Sequence, residues 1–194
     1  MTSSPVVRLT TTPPSAAEVD VLILPVFESD ALEDLSLFDA AIRGEILDSM
    51  RRGEFRGKPF DLFSGPRLPV SGLRLLCVGA GARPDWKGDR LRKVATAAGL
   101  AGRQRGMGRC AWWHRTSDDQ PTGLDVKAVT EGFVLAAYDG DTWKTTPREA
   151  AALTEVVMVV PAVETALTEA VEQGWCWETA PTAPATWQTS PETR

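Results

Sequence analysis

Three short, nearly uninterrupted apolar runs constrain this chain most: residues 19–26 (VDVLILPV), 73–78 (LRLLCV) and 155–160 (EVVMVV). Runs of six to eight such residues read as strands buried on both faces, which a sheet allows only when helices cover it on both sides. Between them the apolar period changes from two to about four. Phe38, Ile42, Ile46 and Met50 line one helical face, with Ser36 and Asp39 placed as a capping box and the helix stopping before Gly53. Asp89 is positioned to cap a helix whose inward stripe is Leu91, Val94, Ala95 and Ala98. Val126, Val129, Phe133 and Ala137 mark a third helix. Pro161 fits the first turn of a last one, with Val163, Ala166, Leu167 and Ala170 facing inward. Residues 110–114 form another strand candidate, and 6–10 and 60–64 suit short edge strands. The pattern predicts an α/β three-layer sandwich: a mixed sheet of about six strands with helices on both faces. Val21, Ile23, Leu75, Cys77, Val157 and Val159 are expected at its buried centre.

A chain of 194 residues fits one domain, and at this size about 70% of the unfolded surface is buried on folding without help from disulfides or metals. Residues 1–177 carry the alternating pattern. Residues 178–194 are rich in Thr, Pro and Ala, have no period, and read as a tail or linker stub. A net charge of −5 argues against a dedicated nucleic-acid binder. No run reaches the 18 apolar residues of a membrane span, and the first residues lack the pattern of a secretory signal. Cys77, Cys110 and Cys176 are widely spaced within apolar stretches and read as buried thiols, which points to the cytoplasm.

The chain has one histidine, His114, and no asparagine. One His with three scattered Cys cannot supply a standard zinc set, and any Ser-His-Asp or Cys-His chemistry would have to run through His114. Its place near a strand end favours a structural role. Gly79-Ala80-Gly81 follows a strand and precedes a helix, as a dinucleotide fingerprint would, but position 84 is Pro84 and the helix starts late. Gly53-Glu54-Phe55-Arg56-Gly57-Lys58 is one residue short of a P-loop and follows a helix instead of a strand. Asp118-Asp119 and Asp139-Gly140-Asp141 are what turns favour. Arg103, Arg105, Arg109 and Arg115 form a basic cluster near a helix end, which could touch phosphates but more often is a solvated face. Trp175, Trp177 and Trp187 crowd the C-terminal end of the chain.

Five segments, in order, carry a family resemblance. They are Val19-Asp20-Val21-Leu22-Ile23-Leu24-Pro25-Val26; Leu37-Phe38-Asp39 through Gly44 with Phe55-Arg56-Gly57-Lys58; Leu75-Leu76-Cys77-Val78-Gly79-Ala80-Gly81; Asp89-Arg90-Leu91-Arg92-Lys93 with Ala95, Ala97 and Ala98; and Glu131-Gly132-Phe133-Val134-Leu135-Ala136-Ala137-Tyr138 with Trp143-Lys144. Across residues 6–175 their order and spacing resemble the N-terminal domain of the leucyl aminopeptidase (cytosol aminopeptidase) family. The resemblance implies a six-stranded α/β sandwich similar to macro domains, placed before a separate catalytic domain that carries two divalent metals. No motif of that catalytic domain is found here, so the resemblance transfers no catalytic or metal residue and implies no cofactor for this chain. Pro181 and Thr186 look like remnants of the segment that opens the catalytic domain.

The expected function is that of a non-catalytic accessory domain, serving assembly and substrate access for a metallo-aminopeptidase catalytic domain. Its expected partner is that domain or a second copy of the chain, with no membrane partner. Trp175, Trp177 and Trp187 would anchor the docking surface, since Trp is enriched among interface anchors. The alternative is a macro-like domain holding a phosphate-containing small ligand at Gly79, Ala80 and Gly81, because open α/β sheets bind ligands at strand ends. A DNA contact, known in some relatives of the family, is opposed by the net negative charge.

Overall fold

In the computed structural model, residues 4–32, 38, 40–69, 71–115, 121–138 and 151–175 are described. The strands are β1 (Val6–Thr10), β2 (Val21–Phe27), β3 (Leu62–Arg67), β4 (Arg74–Gly81), β5 (Arg109–Trp113) and β6 (Glu155–Val159). The helices are α1 (Ala40–Arg51), α2 (Asp89–Gln104), α3 (Gly123–Ala137) and α4 (Thr165–Trp175). The sheet order is β1-β6-β5-β2-β4-β3, with every pair parallel except β3 against β4. This is the mixed six-stranded sheet that the apolar runs predict.

Side-chain alternation distributes each central strand between two cores. Val21 and Ile23 of β2, Leu76 and Val78 of β4, Cys110 and Trp112 of β5 and Val156 and Met158 of β6 face α2, α3 and α4. Their neighbours Leu22, Leu24, Leu75, Cys77, Ala111 and Val157 join Ile42 and Ile46 of α1, with Phe38 and Phe55, on the other face. All six residues expected at the centre are buried. The larger core carries an aromatic chain: Trp86 meets Phe27 edge-on at 5.5 Å and stacks on Trp112 at 6.4 Å, and Trp112 meets Phe133 at 5.6 Å.

The helices on that face approach closely because glycine sits at the contacts. A Cβ on Gly132 of α3 would lie 2.5 Å from the Arg92 carbonyl oxygen of α2, and one on Gly174 of α4 would lie 2.7 Å from Thr130 Cβ of α3. Glu131 also reaches across to Arg92, Nε to Oε2 2.6 Å.

Several boundaries differ from the sequence expectation. β4 runs on through Gly79 to Gly81 instead of ending at Val78, because Gly79 and Gly81 continue the pairing with β2. The edge strand expected at 60–64 lies at Leu62–Arg67, since Phe60 takes the left-handed conformation, φ 72°. Gly88, not Asp89, caps α2. α4 begins at Thr165, four residues after Pro161, so Val163 and Ala166 are exposed while Leu167, Ala170 and Val171 pack inward. The capping box anticipated at Ser36 and Asp39 falls outside the described residues. A different one opens α3, where the Thr122 side chain accepts from the Asp125 amide and the Asp125 carboxylate accepts from the Thr122 amide.

Candidate functional site

The topology fixes where a site would be sought. From β2 the chain crosses to β4 on one side, and from β5 it crosses to β6 on the other, so the carboxyl ends of the adjacent strands β2 and β5 form the switch point of the sheet. Residues 28–32 follow β2 there, and His114 and Arg115 follow β5.

This crevice is closed by an ion pair. Arg115 Nη1 and Nη2 both donate to the Asp30 carboxylate, Nη2 to Oδ1 at 3.2 Å, and the side chains are 1% and 3% exposed. Arg115 Nη1 also donates to the Pro25 carbonyl oxygen at 3.0 Å, and its own carbonyl accepts from Trp86 Nε1 at 2.7 Å. Asp30 in turn accepts from the amides of Phe27 (3.1 Å) and Leu32 (3.0 Å). Burial alone would raise the Asp30 carboxyl, but the hydrogen bonds and charge of Arg115, with these two amides, hold it below the usual carboxylate range. Ser29 and Leu32, on either side, take left-handed φ values of 57°, a strained backbone that the two amide bonds to Asp30 hold in place. The guanidiniums of Arg83 and Arg115 lie against the Phe27 ring, 4.1 Å and 4.9 Å from its centroid. Outside this cluster a cavity of about 360 Å³ remains between residues 27–32 and Arg83. No spacing rule links Asp30 to Arg115, 85 residues away, and the pair is invisible in the sequence.

His114 is buried beside this cluster. Its amide donates to the Val159 carbonyl oxygen at 3.0 Å, but neither ring nitrogen has a partner among the described residues. Burial lowers its pKa to about 4, against a small opposing pull from Asp125, so the ring is neutral at pH 7. Burial also pushes the Cys77 thiol far up and Cys110 up to about 12, which leaves neither as a thiolate nucleophile. Among the described residues no group of three or more His, Cys, Asp or Glu side chains is placed to hold a metal ion.

Gly79, Ala80 and Gly81 end β4 as buried strand residues under the segment 57–59. The Gly79 amide donates to Asp61 O and the Gly81 amide to Gly57 O, both at 2.8 Å. A Cβ on Gly79 would lie 1.8 Å from the Lys58 carbonyl oxygen. The two amides that would cradle a phosphate are therefore engaged within the chain.

The four arginines of the basic cluster are dispersed. Arg103 is buried and donates to the carbonyl oxygens of Ala136, Tyr138 and Ala151; Arg109 pairs with Asp20; Arg115 pairs with Asp30; Arg105 is exposed. Trp175 ends α4 and packs partly buried against the larger core, its indole N–H without a partner among the described residues. Trp177, Trp187, Cys176, Pro181, Thr186 and the acidic pairs at 118–119 and 139–141 lie outside the described residues.

Residues 23–147 match the cytosol aminopeptidase family, N-terminal domain. The curated "Probable cytosol aminopeptidase" of Stutzerimonas stutzeri is 29% identical over 158 residues, covering 78% of this chain and 32% of that protein. Its namesake from Geobacter sulfurreducens is 31% identical over 152 residues, covering 75% and 30%. This chain thus spans about a third of the length of these relatives. Among solved structures, a tomato leucine aminopeptidase mutant superposes with a TM-score of 0.71 at 14% identity, over 90% of this chain and 36% of that one. The bottromycin maturation enzyme BotP gives 0.58 at 20% identity, over 81% and 30%. At these identities the structural likeness establishes the fold.

Proposed function

The chain belongs to the cytosol aminopeptidase family through its N-terminal domain, and from that premise we propose that it is a non-catalytic accessory domain, which docks onto a metallo-aminopeptidase catalytic domain and shapes its assembly and access to substrate. The observation that carries this reading is the match of residues 23–147 to the family's N-terminal domain. The chemistry of the crevice supports it. Where an open sheet would take a substrate, the Asp30 carboxylate and Arg115 guanidinium neutralise one another and the buried His114 imidazole is uncharged; away from the crevice, the buried Cys77 and Cys110 thiols are also uncharged.

A two-metal peptidase site needs several carboxylate or imidazole ligands converging within a few ångströms, so the divalent metals of such an enzyme fall to the catalytic domain in this reading. The chain's own role is to supply surface, with Trp175 at the end of α4 and the residues after it as the docking region. Two buried free thiols, Cys77 and Cys110, and the absence of any described helix long and apolar enough to cross a membrane fit a cytoplasmic setting.

Co-expression with an aminopeptidase catalytic domain stripped of its own N-terminal domain tests the docking directly. The two chains are expected to co-purify and to sediment as one species, with a changed KM for a peptide substrate. Separate sedimentation at micromolar concentration, with unchanged kinetics, would contradict the proposal.

A further inference from the structure

At the end of the sheet opposite the crevice lies a cavity of about 560 Å³, within the range of small-molecule sites. Arg67 from the end of β3, Arg74 from the start of β4 and Arg105 from the end of α2 line it, with half-buried Met107 as an apolar residue of its wall, while Val21 and Leu75 beneath it are buried in the two cores. No carboxylate is among its described lining residues. Among the described residues no Asp or Glu forms an ion pair with any of the three arginines, although Arg8, Arg52, Arg92, Arg109 and Arg115 each have one. The acidic residue next in sequence to this wall, Asp20, is committed to Arg109 and to the amides of Gly108 and Arg109.

Three guanidiniums sharing one cavity, with no counter-charge among the described residues, repel each other, and in a chain of net charge −5 this concentration of positive charge is local. Two of them are oriented by the backbone: Arg67 Nη1 donates to Gly72 O and Arg105 Nη1 to Ala101 O, both at 3.0 Å. A guanidinium has five N–H donors in a fixed fork that matches phosphate oxygens, so a single anchoring bond leaves others to offer a ligand. From this we propose that the cavity between β3, β4 and the end of α2 binds a phosphate-bearing small molecule, with the phosphates on Arg67, Arg74 and Arg105 and an apolar or planar body against Met107. The site does not depend on the docking role argued above, and it lies away from Gly79, Ala80 and Gly81.

Isothermal titration of the whole chain with inorganic pyrophosphate and with ADP tests it. Both probes bind, and binding weakens as salt rises, because the charges are exposed. Contact of the base with Met107 makes ADP a few-fold tighter than pyrophosphate. Arg74→Gln and Arg105→Gln each weaken ADP about tenfold or more, the effect of losing a charge-assisted hydrogen bond. Arg51→Gln, on the exposed face of α1, leaves the affinity unchanged. Arg74 and Arg105 are exposed, so these variants keep the fold, which an unchanged urea midpoint verifies. Absence of binding for both probes at millimolar concentration would overturn the site, as would equal binding by the wild type and the two cavity variants. ADP no tighter than pyrophosphate would overturn the organic body.

Discussion

Removing the Asp30 carboxylate would take from the Arg115 guanidinium, 1% exposed, the carboxylate to which both its Nη atoms donate. Asp30→Ala is therefore expected to cost about 3–5 kcal/mol, the scale for breaking one side of a buried pair. The loss would also release the amides of Phe27 and Leu32; urea denaturation at pH 7 measures it. His114 makes a different prediction, in pH. Its folded-state pKa of about 4 lies below the ordinary 6.5, so the unfolded chain binds the extra proton first. Stability is then full above pH 6.5 and falls as pH drops towards 4, by about 3 kcal/mol. Asp30, with its lowered pKa, loses its contribution only at more acid pH, so the two do not overlap. The stability difference between wild type and His114→Leu should shift in favour of the variant from pH 7 to pH 4.5; a constant difference would show that the ring is already protonated or solvated.

At the scale of elements, close approach explains what single substitutions would do. Gly132→Ala ought to stabilise a helix by propensity, by about 1 kcal/mol. In α3 the added methyl would instead meet the Arg92 carbonyl oxygen at 2.5 Å and Ala95 Cβ at 2.7 Å. The net effect is expected to be destabilising, on the order of 2 kcal/mol, and a thermal melt that rises on substitution would contradict it. Gly79→Ala is more severe, because the opposing atom at 1.8 Å is the Lys58 backbone oxygen, which cannot rotate away. Apolar period made the elements themselves legible: the strand at 6–10 and the body of α2 lie where the sequence places them. What it could not show is how elements end. The extension of β4 through Gly79 depends on pairing with β2, and the delayed start of α4 leaves Val163 in solvent, where no local pattern distinguishes it from Leu167.

For the whole molecule, three apolar strands separated by amphipathic helices determine a two-faced sheet, and the family's N-terminal domain follows from the order of the segments. The sites were less legible for a physical reason. Asp30 meets Arg115, and Arg67 and Arg74 meet Arg105, only after crossovers bring distant segments together; in sequence Arg105 is one of four arginines with three different fates. The central proposal is that this N-terminal domain does not hydrolyse peptides on its own. Hydrolysis of leucine p-nitroanilide by the whole chain, with manganese or zinc added, tests that claim most directly. No turnover above a control with the metal alone is expected. Turnover above it that is abolished by replacing a carboxylate of this chain would contradict the account.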